Sequence, residues 1–295
     1  MKKTEYSVKL GRTVFANPVL AASGTFGFGD RFAQVANGIG GVVTKGITLL
    51  PRAGNPPPRI YEFPGGILNS VGLENPGLER FVTEVLPALA RLRTRVVVNI
   101  AGFSPGEFNR LADGINHPRV DAVELNLSCP NVDSGGAAFG QSARMVERIT
   151  AEVRKRTKKT LLVKLTANFV DPAETARAAE AAGADAVTVT NTLFGLALSK
   201  DGKPFLGGRT GGMSGPALKP FALYCVDRVA ARIKIPVVAS GGVMTARDAM
   251  DFLSVGAKMV QVGTASLIDP RAPLVIWQEL AKLLRKPGTR NSRRK

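Results

Sequence analysis

DPAETARAAEAAGADAVTVTN, residues 171–191, is the stretch whose reading decides the fold. Asp171 is placed to cap a helix, with Pro172 at the first helical position, where a missing amide proton loses no hydrogen bond. The alanine-rich run that follows has high helix propensity up to Gly183, where a glycine C-cap ends it. An Ala-Asp turn then leads into 186–190, a short β-branched run of strand length. Helix, glycine stop and buried strand in that order form half of a βαβ unit, and such units build parallel sheets. The grammar repeats further on. Thr245-x-x-Asp248 has the pattern of a capping box, and Ser254-Val-Gly256-Ala-Lys leads into an apolar run at 259–262.

Outward from these two units, similar runs lie at 19–22, 41–45, 96–100, 122–127, 161–165 and 236–239, each ending in a small or polar residue. Eight runs with helical segments between them predict an α/β fold, a closed (β/α)8 TIM barrel with active-site insertions at the C-terminal face of its strands. The barrel is expected over 1–284 as one catalytic domain, with 285–295 as a basic, solvated tail. Two segments break the repeat. Residues 50–75, rich in Pro and Gly, and 193–220, with many glycines, are expected to be loops folded over the barrel mouth.

The chain has 295 residues, of which 44% are hydrophobic and 21% charged, enough to bury a large core as a soluble protein. Its longest uncharged stretch, 13–29, contains Asn17, Pro18 and several glycines, so it reads neither as a membrane span nor as a signal segment. Two distant cysteines make no disulfide framework and no metal or iron-sulfur motif, and a cytoplasmic protein is expected. The net charge of +17 is scattered along the chain. Its densest patches are Arg154, Lys155, Arg156, Lys158 and Lys159, which suit a helix C-terminus, and the tail. Without basic residues interleaved with aromatics, neither nucleic acid nor membrane is expected as a partner.

In a parallel barrel the residues at strand C-termini build the site. Here they are Lys45, Asn99, Asn126, Lys164, Asn191 and Thr192, each beside strongly apolar sequence. A buried lysine needs an anion, which leaves two readings: a bound anionic ligand, or internal neutralisation by Glu124. Ser240-Gly-Gly242 and Gly263-Thr264 end the last two strands, where such barrels often hold phosphate on backbone amides. The loop 211–215 offers a further set of amides. Asn69, Asn99, Asn126, Asn131 and Asn191 together match the imide and urea edges of a pyrimidine-like ring. Cys129, beyond a strand end in Leu127-Ser-Cys-Pro-Asn131, is placed to act as base or acid; the alternative is an inert thiol. Cys225 reads as core and His117 as a surface-loop residue. No His pair or carboxylate cluster calls for a metal.

The motifs Ala22-Ser-Gly-Thr25, Thr44-Lys-Gly46, Leu68-Asn-Ser-Val-Gly-Leu73, Asn126-Leu-Ser-Cys-Pro-Asn-Val132, Lys164-Leu-Thr, Asn191-Thr, Gly211-Gly-Met-Ser-Gly-Pro216 and Gly241-Gly resemble those of class 1 dihydroorotate dehydrogenases. They run in order over about residues 5–284. Cysteine at 129, and no N-terminal membrane segment, resemble class 1 rather than class 2, and Gly135-Gly-x-x-Phe-Gly140 resembles class 1B.

The resemblance implies an FMN enzyme that oxidises (S)-dihydroorotate to orotate in pyrimidine (UMP) synthesis. Its catalytic subunits form a homodimer at the core of a heterotetramer with an FAD/[2Fe-2S] subunit that passes electrons to NAD. Cys129 would remove the C5 proton while the C6 hydride leaves for flavin N5. Lys45, Asn69, Ser70, Val71, Gly72, Leu73, Asn126, Asn131, Asn191 and Thr192 would hold the substrate. Ala22, Ser23, Lys45, Gly46, Asn99, Asn126, Lys164, Thr190, Gly215, Gly241, Gly242, Gly263 and Thr264 would hold FMN. Three other readings remain: a dihydropyrimidine dehydrogenase-like barrel acting on uracil or thymine, a tRNA dihydrouridine synthase-like barrel, and a non-enzymatic phosphate-binding scaffold.

Overall fold

The computed structural model describes residues 5–127 and 139–285. Strands β1 (Val8–Leu10) and β2 (Thr13–Phe15) form an antiparallel hairpin ahead of the barrel. β3 (Val19–Ala21) and β4 (Gly41–Val43) open the barrel, and a first excursion carries β5 (Ile60–Phe63) and β6 (Gly66–Asn69). Next come β7 (Arg95–Ile100), β8 (Ala122–Asn126), β9 (Thr160–Lys164) and β10 (Ala186–Val189). A second excursion holds β11 (Leu193–Gly195) and β12 (Gly211–Ser214), before β13 (Val237–Ser240) and β14 (Met259–Val262). The eight parallel strands close in the order β3-β4-β7-β8-β9-β10-β13-β14, as the βα spacing predicts.

Period-two alternation sorts the strand side chains. Residues pointing outward, such as Val96, Val98, Val123, Leu125, Val187 and Val260, pack under the helices in the main core. The inward rows start at the N-terminal end with one apolar residue per strand: Leu20, Val43, Val97, Ala122, Leu162, Ala186, Val238 and Met259. Leu10 and Phe15 of the hairpin, both fully buried, complete this plug from below. Two residues further along, the inward positions turn polar. Glu124 accepts hydrogen bonds from Asn99 Nδ2 (2.8 Å), Thr188 Oγ1 (2.8 Å) and Gln261 Nε2 (2.7 Å), all within the barrel. Two residues further again, the same rows reach the mouth as Asn126 and Thr190; on β9, which starts its row at Leu162, the mouth residue is Lys164. The alternation thus brings Asn126, Lys164 and Thr190 to the mouth.

The connectors form as the sequence predicts. Asp171 accepts from Ala173 N (3.0 Å) to start the helix Pro172–Ala181, and Thr245 and Asp248 make both halves of a capping box on Ala246–Ser254. The excursions differ from expectation. They are not two separate loops: their strands pair as one antiparallel sheet, β11-β12-β6-β5, with Asn69 opposite Gly212 and Leu68 opposite Met213. The Pro64-Gly65 turn, with Gly65 at φ 107°, makes the hairpin β5–β6. Leu68, Ala197 and Leu206 bury a small core beneath this sheet, which roofs the mouth.

Candidate active site

One pocket opens at the C-terminal face, between the strand ends and the roof. At one side lie Ser240, Gly241, Gly242, Gly263 and Thr264, facing Ser214 on β12. Thr264 Oγ1 donates to Ser214 Oγ (2.9 Å), tying strand end to roof. Gly242 sits at φ 76°, a left-handed conformation that glycine adopts freely. A Cβ there would stand 2.6 Å from Lys219 Cβ, so glycine is needed for the turn to pack on the helix Lys219–Ala230. The outcome is a wall of backbone and small hydroxyls with room for a phosphate.

Asn126, Lys164, Thr190, Asn191 and Thr192 line the middle of the pocket, and Lys45, Gly46, Asn69, Val71, Gly72 and Leu73 line the opposite wall. Lys45 Nζ stands 3.7 Å from Glu74 Oε1, a carboxylate shared with Arg59. Lys164 is 7% exposed, and among the described residues no carboxylate pairs with it. Glu124 neutralises neither lysine; its three hydrogen bonds all come from uncharged donors. Glu124 is therefore the partner of neither lysine: Lys45 has Glu74 instead, and Lys164 opens into the pocket without a carboxylate among the described residues. Asn69 Nδ2 donates to Gly212 O (3.2 Å), and Asn191 Oδ1 accepts from Thr192 N (2.9 Å), so both amides are held in fixed orientations.

Of the site residues expected from sequence, Ala22 and Ser23 also line this pocket, but three lie outside the lining. Ser70 is fully buried and accepts from Asn55 Nδ2 (3.0 Å), because alternation from Asn69 turns it away from the mouth. Gly215 packs on the hairpin turn, where a Cβ would stand 2.7 Å from Gly66 Cα. Asn99 lies one layer deeper, behind Gly46, where a Cβ would come within 2.9 Å of Asn99 Oδ1. That oxygen is buried without a hydrogen-bond partner. Cys129 and Asn131 lie outside the described residues. Thr25, Ile60, Ile67, Leu218 and Leu267 line the pocket without having been assigned a role from sequence. Thr25 was within a quoted motif; the apolar four carry no chemical signal of their own.

Cys225 is buried on the helix Lys219–Ala230, and burial pushes its thiol up to about 11, consistent with a core residue. His117 is exposed. Among the described residues no group of three or more His, Cys, Asp or Glu is arranged to hold a metal, and no helix is long and apolar enough to cross a membrane.

A (β/α)8 barrel whose mouth gathers a glycine-rich wall, a buried lysine without a carboxylate among the described residues, and a set of amides has the architecture of a barrel enzyme for a small ligand. The family follows from comparison with known proteins: the model for dihydroorotate dehydrogenase matches residues 6–284, and the chain belongs to that family. It is 46% identical over 290 residues to the dihydroorotate dehydrogenase B (NAD(+)) catalytic subunit of Trichlorobacter lovleyi, covering 97% of this chain and 95% of that one. It is 44% identical over 291 residues to the subunit of the same name from Bacteroides fragilis, covering 97% and 96%. These relatives bear out the class 1B reading. A solved structure of the Eimeria tenella enzyme with ferulenol superposes with a TM-score of 0.81 at 24% identity, over 95% of this chain and 84% of that one, and shows the shared fold.

Proposed function

We propose that this chain is the catalytic subunit that oxidises (S)-dihydroorotate to orotate in pyrimidine synthesis, with FMN as its cofactor and NAD as the final acceptor through a partner subunit. The observation that carries the reading is Lys164: a buried lysine without a carboxylate among the described residues, opening into the same pocket as the glycine wall and the amide set. The pocket fits a flavin mononucleotide. Gly241, Gly242, Gly263 and Thr264 would take its phosphate, and Lys45, Gly46, Asn126, Lys164 and Thr190 its ring, with Asn99 Oδ1 as a buried acceptor behind Gly46. Bound FMN supplies an acceptor for the hydride that leaves C6 of the substrate.

The rest is done by the chain. Asn69, Asn126, Asn191 and, from the resemblance, Asn131 hold the imide edges of the pyrimidine, with Val71, Gly72 and Leu73 against its face. Lys45 faces the substrate carboxylate. Lys164 provides a fixed positive charge where negative charge develops, an effect that is largest in a water-poor site. Cys129 takes the proton from C5; with a reference thiol pKa of about 8.5, the site must favour the thiolate or couple the two transfers. The roof sheet supplies Asn69 and Ser214 to the pocket from above.

The proposal extends to a cytoplasmic heterotetramer with an FAD/[2Fe-2S] subunit, a partner suggested by the name 'catalytic subunit' that the relatives carry and by a chain with only two cysteines. Anaerobic assays with dihydroorotate and with dihydrouracil test the substrate. Turnover of dihydroorotate alone is expected; turnover of dihydrouracil alone overturns the assignment. Copurification of a red-brown flavin and iron-sulfur subunit tests the partner.

A further inference from the structure

The site accounts for the motifs but leaves the net charge of +17 unexplained. Along the chain the cations are scattered; the barrel gathers them. Every segment that leads from a helix into a barrel strand lies at the face opposite the pocket. Arg91 and Arg93 lead into β7, Lys158 into β9, Arg232 and Lys234 into β13, and Lys258 into β14, and all six are exposed. The hairpin beneath the barrel adds Lys9 and Arg12, also exposed, on either side of its turn. Backbone bonds knit these segments into the barrel floor: Arg12 N donates to Thr160 Oγ1 (3.1 Å) and Lys258 N to Val237 O (2.8 Å).

Among the described residues none of these eight side chains has an ion-pair partner. The two carboxylates of the same segments are taken. Asp121 holds Arg95 (2.7 Å) and Arg119 (3.1 Å), and Asp185 holds Arg154 (2.9 Å). Cations also answer the negative end of a helix dipole, but that effect fades within the last turn. It covers Lys155 and Arg156, which end the helix Ala143–Arg156. It does not cover a hairpin turn, nor residues two to four places beyond a helix end such as Arg91, Arg232 and Lys258.

The last helix, Ala272–Arg285, ends beside this floor, where Arg285 Nε donates to Tyr6 Oη (2.9 Å) just before β1. What the face lacks identifies its occupant. None of the exposed large apolar side chains lies in these segments, so there is no anchor for a protein interface or for membrane insertion. No exposed Phe, Tyr or Trp offers a stacking platform for single-stranded bases. Across the strand-entry segments charge is what remains, spread over a surface; the groove lined by Tyr6, Trp277, Lys282 and Arg285 lies at its edge.

We propose that the barrel face opposite the active site binds the phosphate backbone of double-stranded nucleic acid, without reading its sequence. The expectation of no nucleic-acid partner rested on scattered charge and on the lack of basic residues interleaved with aromatics; the fold gathers the charge, and contact with a phosphate backbone needs no aromatics. The test is fluorescence anisotropy of the flavin-loaded full chain with two labelled RNA duplexes of unrelated sequence, each about 24 base pairs, between about 50 and 200 mM KCl. Affinities for the two within about twofold of each other are expected, with a fall of about 1,000-fold across that salt range, as for a protein contacting six or more phosphates. The triple variant Arg91→Glu/Arg93→Glu/Lys234→Glu should lose at least about tenfold in affinity, with flavin content and dihydroorotate turnover unchanged. Absence of duplex binding at the lowest salt, or a triple variant that binds like the parent, overturns the proposal. Tighter binding to polyglutamate or to phosphatidylglycerol vesicles also overturns it, and transfers the face to an acidic protein or a lipid surface.

Discussion

Replacing Gly242 by alanine tests the anion wall where its geometry is tightest. The residue sits at φ 76°, and the new methyl would stand 2.6 Å from Lys219 Cβ and 2.7 Å from Lys219 N. Left-handed alanine costs about 1–2 kcal/mol, and forcing a methyl into packed backbone about 1–3 kcal/mol more. The neighbour is the start of a twelve-residue helix, so the turn yields before the helix does. A turn that moves draws its amides away from the phosphate. A hydrogen bond to a charged group is worth about 1.5–3 kcal/mol, so FMN affinity should fall by about 10- to 150-fold. The assay is titration of apoprotein with FMN, followed by quenching of flavin fluorescence, alongside thermal unfolding. Gly256→Ala is the matched control: φ 110°, a methyl 2.7 Å from Ala230 Cβ, and a position at the floor of the barrel. It should lose stability and keep FMN affinity. If Gly242→Ala binds FMN within twofold of the parent while melting as Gly256→Ala does, the anion wall is wrongly placed.

Cys129→Ser should slow flavin reduction by dihydroorotate at least about 100-fold and leave orotate affinity unchanged; stopped-flow reduction at the parent rate removes Cys129 from the base role. Cys225, its thiol pushed up to about 11 by burial, should be about one part in a thousand thiolate at pH 8. Peptide mapping after iodoacetamide should therefore find it labelled only in unfolded protein. Burial opposes ionisation of Asp248, but hydrogen bonds from Lys219, Thr245 and the backbone of Met244 and Thr245 outweigh it and hold the carboxyl below its usual range. A depressed carboxylate stabilises the fold above its unfolded pKa and loses that contribution as pH falls through the lower folded value. Between pH 6 and pH 3 the melting temperature of the parent should thus fall further than that of Asp248→Asn; equal falls contradict the linkage.

The barrel was legible because its strands are β-branched runs with strong stops, and each observed strand lies within one or two residues of its predicted run. Caps at Asp171 and Thr245 were legible because their chemistry is local. The roof sheet was not. Its central pairing joins Asn69 to Gly212 across 143 residues, and β12 is half glycine, so neither periodicity nor propensity marks it. The hairpin beneath the barrel has three-residue strands, too short for an alternation signal. At the site, lysines and asparagines at strand ends stood out as polar residues in apolar sequence. Ser70 and Asn99 were displaced from the lining by parity and depth, which require the register of each strand rather than its sequence. The cationic floor depends on eight side chains from separate segments, which only the closed barrel brings together.

The central claim is that the mouth of this barrel holds a flavin in contact with a dihydropyrimidine acid. It is tested most directly by the visible spectrum of the purified protein under anaerobic conditions. A yellow protein is predicted, releasing FMN on denaturation in equal amount to the chain, whose absorbance bleaches on addition of dihydroorotate and persists with dihydrouracil. A colourless protein that takes up no FMN, or a bound flavin that dihydroorotate leaves oxidised, contradicts it.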